Sequence, residues 1–121
     1  MKTLFIVDDE EDLIKILSVQ LIKVGYKVVS AYRYHEALGL IDQHKPDFFL
    51  LDYVIAGESG ADLCRWIRGK PELESVPVVF MTASPQMLTP RHMQSIRASD
   101  YLIKPFHFAE LLEKINGFLK T

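Results

Sequence analysis

Two periodicities alternate along this chain, and that alternation constrains its fold more than any other feature. Short, unbroken apolar runs recur, separated by stretches whose apolar residues fall at helical spacing. Leu4-Phe5-Ile6-Val7 and Phe48-Phe49-Leu50-Leu51 leave no face for solvent. Such runs suit strands covered on both sides, as in a parallel sheet. After the first run, Leu13, Ile14, Leu17, Leu21 and Val24 predict the inward stripe of a helix, with Gly25 just past its end. Further strands are predicted at 27–31, 76–81 and 100–103, and further helices at 34–43, 61–68, 90–97 and 108–119. Leu63, Cys64 and Ile67 face inward on the third helix, and Thr89-Pro90 reads as an N-cap followed by proline in the first turn. Strand then helix, five times over, predicts an α/β domain with helices on both faces of a parallel sheet and right-handed crossovers.

A chain of 121 residues is one domain, expected to span 1–121, with room for a core that needs no staples. Its net charge of −2 and the lack of a basic stripe argue against direct nucleic-acid binding. No apolar run approaches the roughly 18 residues of a membrane span. The opening MKTLFIVDDEED turns acidic too early for a cleaved leader. A single cysteine, Cys64, forms no internal disulfide, and the cytoplasm is the expected location.

Ligands of open parallel sheets bind beyond the carboxyl ends of the strands. There the pattern places Asp8-Asp9 after the first strand, Asp52 after the third, Thr82 after the fourth and Lys104-Pro105 after the fifth. Clustered carboxylates repel and raise one another's pKa. A hard divalent cation relieves that repulsion, and oxygen ligands suit Mg²⁺. A carboxylate so placed is a candidate nucleophile for phosphoryl transfer. Lys104 offers a point charge and Thr82 a hydroxyl for phosphoryl oxygens. Asp52 stands alone at the centre of the sheet and is the candidate nucleophile. Asp8 and Asp9, being adjacent, suit metal ligation, and the Val54 carbonyl is placed to join them. Asp9 with Asp12 also fits a plain helix N-terminus, and Thr82 and Lys104 taken singly fit an ordinary strand end and a solvated lysine.

Together these motifs resemble the receiver domains of response regulators. The resemblance rests on IVDDEED, LLDYVIAGESG, VVFMTAS and DYLIKPF, at intervals of 43, 30 and 22 residues from Asp9 to Asp52, Thr82 and Lys104. It implies a flavodoxin-like (βα)5 fold with strand order 2-1-3-4-5. It also implies that Asp52 is the phosphoacceptor, that Asp8, Asp9, Asp52 and the Val54 carbonyl bind Mg²⁺, and that Lys104-Pro105 is a cis peptide. Thr82 is then the switch hydroxyl and Tyr101 the switch aromatic. The implied phosphodonor is a sensor histidine kinase or histidine phosphotransfer protein. The implied output is a changed surface of the fourth helix, fifth strand and fifth helix, acting on an output domain or partner protein and open to homodimerisation. On this reading the domain is a switch that catalyses no more than its own phosphorylation and dephosphorylation.

Some positions depart from that family's pattern. Ala56 stands where proline is frequent, which predicts a looser loop, and Arg97 stands where glycine usually ends the fourth helix, which predicts a remodelled helix end. Val54 and Ser84 flank the expected phosphate, and valine cannot orient an attacking water, so autodephosphorylation is not expected to be among the fastest of the family. Asp100, Glu110 and Lys114 are candidates for ion pairs across a dimer. His35, His44, His92 and His107 read as surface residues with no metal-binding spacing. A rival reading keeps the fold as a phosphorylation-independent protein–protein interaction module. A flavin carrier is disfavoured by the acidic loop after the first strand, and a haloacid-dehalogenase-type phosphatase by Val54, where a second aspartate is required.

Overall fold

The computed structural model describes residues 1–120. Five strands, β1 (Thr3–Val7), β2 (Lys27–Ala31), β3 (Phe48–Asp52), β4 (Val78–Thr82) and β5 (Asp100–Ile103), alternate with α1 (Glu11–Lys23), α2 (Tyr34–His44), α3 (Gly60–Arg68), α4 (Pro90–Ile96) and α5 (Phe108–Phe118). The strands form one sheet in the order β2-β1-β3-β4-β5, every neighbouring pair parallel, which is the flavodoxin-like arrangement. Among the described residues no helix is long and apolar enough to cross a membrane.

The unbroken apolar runs are explained by two cores, one on each side of the sheet. Leu4, Ile6, Phe48, Leu50, Val79 and Met81 point toward α1 and α5, where Ile14, Leu17, Leu21, Leu111 and Ile115 meet them. Phe5, Val7, Phe49, Leu51 and Phe80 point the other way, toward Ala37, Ile41, Leu63, Cys64, Ile67 and Ile96. Alternate residues of each strand thus serve opposite layers.

Several local expectations need correction. β4 starts at Val78, two residues later than the apolar pattern suggests, because Pro77 has no N–H to give to the ladder. Val24 is exposed: it is the C-cap of α1, not part of its stripe, and the chain turns at Gly25 with φ +102°. The loop after β3 folds as a short hairpin. Val54–Ile55 and Glu58–Ser59 pair antiparallel around Ala56 and Gly57, which have φ +52° and +81°. Positive φ at both central residues is what a type I′ hairpin requires.

α4 begins as expected, with the Thr89 hydroxyl accepting from His92 N–H at 3.2 Å. Its end is tied down rather than remodelled. Arg97 takes the left-handed conformation, φ 57°, despite its side chain. Its guanidinium donates to the Arg68 carbonyl at 3.0 Å, while Arg68 Nε donates to the Arg97 carbonyl at 2.8 Å. This reciprocal pair joins the ends of α3 and α4 and offsets the strain of a non-glycine cap. Lys114 and Asp100 pair within the chain at 2.6 Å, joining α5 to the start of β5.

Candidate functional site

The parallel register sets the site. β1 and β3 lie side by side, with Val7 opposite Leu51, so the residues after β1 flank the end of β3. β3 pairs with β4 through Asp52 and Met81, and β4 with β5 through Thr82 and Ile103. Asp8, Asp52, Thr82 and Lys104 therefore arrive at one edge of the sheet. Carboxylate oxygens of Asp8, Asp9 and Asp52 all lie within 4.8 Å of one another.

Asp8 is wholly buried, and each of its oxygens has a partner. Oδ1 accepts from Glu10 N–H at 2.9 Å, and Oδ2 accepts from Lys104 Nζ at 2.7 Å. Lys104 also reaches Glu10 Oε1 at 3.1 Å and Asp52 Oδ2 at 3.4 Å. Asp9 points outward, loosely paired with Arg33 at 3.8 Å. The lysine is thus shared among three carboxylates and falls well short of neutralising them. The Lys104-Pro105 peptide is cis.

The titration behaviour follows from this crowding. Burial, and then the charge of Asp8, push the Asp52 carboxyl up to about 6, against the opposing pull of Lys104 and the Val54 N–H. Burial alone lowers the Lys104 ammonium. The hydrogen bond and charge of Asp8, joined by Asp52 and Glu10, outweigh it, and Lys104 ends above the ordinary lysine value. A carboxyl raised first by burial and then by a neighbouring carboxylate fits a site that takes up a cation. Asp8, Asp9 and Asp52, all-oxygen donors, suit a hard divalent ion such as Mg²⁺.

Thr82 is buried, and its hydroxyl accepts from Ser84 N–H at 3.0 Å. Val54 is 47% exposed beside the acidic cluster and presents no polar side-chain atom. Tyr101 is half-buried on β5, opposite Phe80 in register, and packs against the larger core.

Three contacts escaped sequence reasoning. Glu10 joins the lysine, a role hidden within a run of four acidic residues. Tyr34, at the head of α2, donates its hydroxyl to the main-chain carbonyl of Asp52. Tyr53, buried directly after Asp52, meets His92 Nε2 at 2.6 Å through its hydroxyl, so His92 is not a free surface residue. The two aromatic contacts join residues 18 and 39 positions apart in the chain and leave no local signature.

Comparison with known proteins agrees with this architecture. A family model described as the response regulator receiver domain matches residues 4–116. The phosphate regulon transcriptional regulatory protein PhoB of Rhizobium meliloti is 33% identical over 115 residues, which cover 95% of this chain and 51% of that protein. The chain therefore spans about half the length of that relative. A solved two-component response regulator from Clostridium difficile is 28% identical with a TM-score of 0.89, covering 99% of this chain and 97% of its own. TrrA from Thermotoga maritima, solved in complex with Mg²⁺-BeF, is 29% identical with a TM-score of 0.85, covering 98% of this chain and 100% of its own. The chain belongs to the response regulator receiver domain family of two-component systems. Members of this family are signalling switches rather than enzymes that turn over a separate substrate.

Proposed function

We propose that residues 1–121 form a phosphoacceptor receiver domain in which Asp52 takes the phosphoryl group. The observation that carries this reading is the meeting of Asp8, Asp9 and Asp52 at one strand edge, with Lys104 shared between Asp8 and Asp52. Asp8, Asp9, Asp52 and the Val54 carbonyl would hold Mg²⁺. The ion supplies charge neutralisation, which lets an anionic donor approach anionic side chains.

The chain's own residues then have distinct tasks. An Asp52 carboxylate oxygen attacks phosphorus, a new P–O bond forms, and the donor's P–N bond breaks. The donor is the phosphohistidine of a sensor histidine kinase or histidine phosphotransfer protein, and its imidazole leaves to take up a proton. Lys104 stabilises charge on one phosphoryl oxygen and Thr82 donates its hydroxyl to another. A cytoplasmic site accords with such a donor. Movement of Thr82 toward the phosphoryl group opens space for Tyr101, and the surface of α4, β5 and α5 changes toward an output domain, a partner protein or a second copy. Such a switch is a shift between two states that the aspartyl phosphate binds unequally. No direct nucleic-acid contact is assigned to this domain. Val54 lacks a group to orient water, so hydrolysis of the acyl phosphate is not among the fastest of the family.

Intact-mass measurement after incubation with acetyl phosphate tests the reading. The protein gains one phosphoryl group with Mg²⁺, gains none with EDTA, and Asp52→Asn gains none under either condition. A wild-type chain that stays unmodified with Mg²⁺ present would favour the phosphorylation-independent interaction module instead.

A further inference from the structure

The acceptor sits on two consecutive peptides, each held at both ends. The first joins Asp52 to Tyr53: its carbonyl accepts from the Tyr34 hydroxyl, and its N–H donates to the Met81 carbonyl at 2.9 Å. The second joins Tyr53 to Val54: its carbonyl accepts from Gly60 N–H at 2.5 Å, and its N–H supports the Asp52 carboxylate. Three of these four partners are fixed by the backbone path or are Asp52 itself. Tyr34 supplies the fourth from a side chain.

Its surroundings are fitted to that contact. Tyr34 is 6% exposed and heads α2. A Cβ at Gly60 would lie 3.1 Å from the Tyr34 hydroxyl and 2.8 Å from the Phe80 ring, so the bare glycine keeps open the space the phenol uses.

A nucleophile must approach along a narrow set of directions, and small misplacements are expensive. We propose that Tyr34 is a positioning residue for phosphoryl transfer, its hydroxyl fixing the Asp52–Tyr53 peptide plane and with it the direction of the Asp52 carboxylate. The inference rests on the reading of Asp52 as phosphoacceptor. Without the hydroxyl, the Asp52 carbonyl loses its partner and the peptide is free to tilt.

Tyr34→Phe keeps the ring and deletes the donor. Phosphorylation rates measured against acetyl phosphate concentration at saturating Mg²⁺ should show the maximal rate falling at least about tenfold, with the half-saturating concentration little changed. The carbonyl-carbon NMR resonance of Asp52, recorded without Mg²⁺ or donor, should shift as its hydrogen bond is lost. Thermal melts of both proteins set the assay temperature, and the rates are compared where wild type and variant are both folded. A folded variant with the wild-type maximal rate overturns the inference and leaves the acceptor reading intact. An unmodified wild-type chain overturns both.

Discussion

With Mg²⁺ chelated, replacing Asp52 by asparagine should stabilise this protein at neutral pH, even though it deletes a partner of Lys104. The Asp52 side chain is 15% exposed, and its carboxyl is raised from 3.8 to about 6. A native pKa above the unfolded value means that the folded state holds the proton more tightly. The stabilisation from the protonated form is complete below about 3.8 and is lost as pH rises through about 6. That shift of about two units, at roughly 1.4 kcal/mol per unit, is worth about 3 kcal/mol. Asparagine resembles the protonated carboxyl at every pH. The variant should therefore melt roughly 10 °C above wild type at pH 7.5. Melts of both proteins in EDTA between pH 4 and 8 check this. The gap should shrink steadily as pH falls toward about 4, where folded Asp52 is protonated and its unfolded counterpart is becoming so. Millimolar Mg²⁺ at pH 7.5 should narrow it from the other side by raising wild type more than the variant. Equal stabilities at neutral pH, or a gap that widens toward acid, would refute the electrostatic account of the pocket.

Two further predictions concern the scaffold. His92→Leu leaves the buried Tyr53 hydroxyl without its partner and should cost about 1–2 kcal/mol in urea unfolding; an unchanged midpoint would remove this contact from the account. Arg68 is buried and donates to the carbonyls of Arg97, Leu73 and Val76, so Arg68→Met should cost about 3 kcal/mol, and a loss well below about 1 kcal/mol would show that α3 and α4 do not depend on it.

The fold was legible because two-sided burial leaves a plain trace. Phe48 to Leu51 is apolar throughout since the side chains alternate between two cores. The strand-end carboxylates were legible for a related reason: a charged residue directly after such a run has one edge of the sheet to occupy. The type I′ turn at Ala56-Gly57 was not, because alanine rarely takes positive φ and nothing nearby announces it. Arg97 misled in the same way: its left-handed cap depends on a partner, Arg68, 29 residues away. Tyr34 and His92 were invisible as contributors to the site because each acts on a neighbour that lies close only after the sheet is assembled. Val24 misled through periodicity alone, since the last apolar residue of a stripe is also where the helix unwinds.

Locating the modified residue tests the central claim most directly. After incubation with acetyl phosphate and Mg²⁺, borohydride reduction converts an aspartyl phosphate to homoserine, and peptide sequencing by mass spectrometry finds the position. Homoserine at 52, and none at 8 or 9, is the predicted result. Homoserine at either of those neighbours with Asp52 untouched, or no homoserine in a protein that has gained phosphoryl mass, would contradict it.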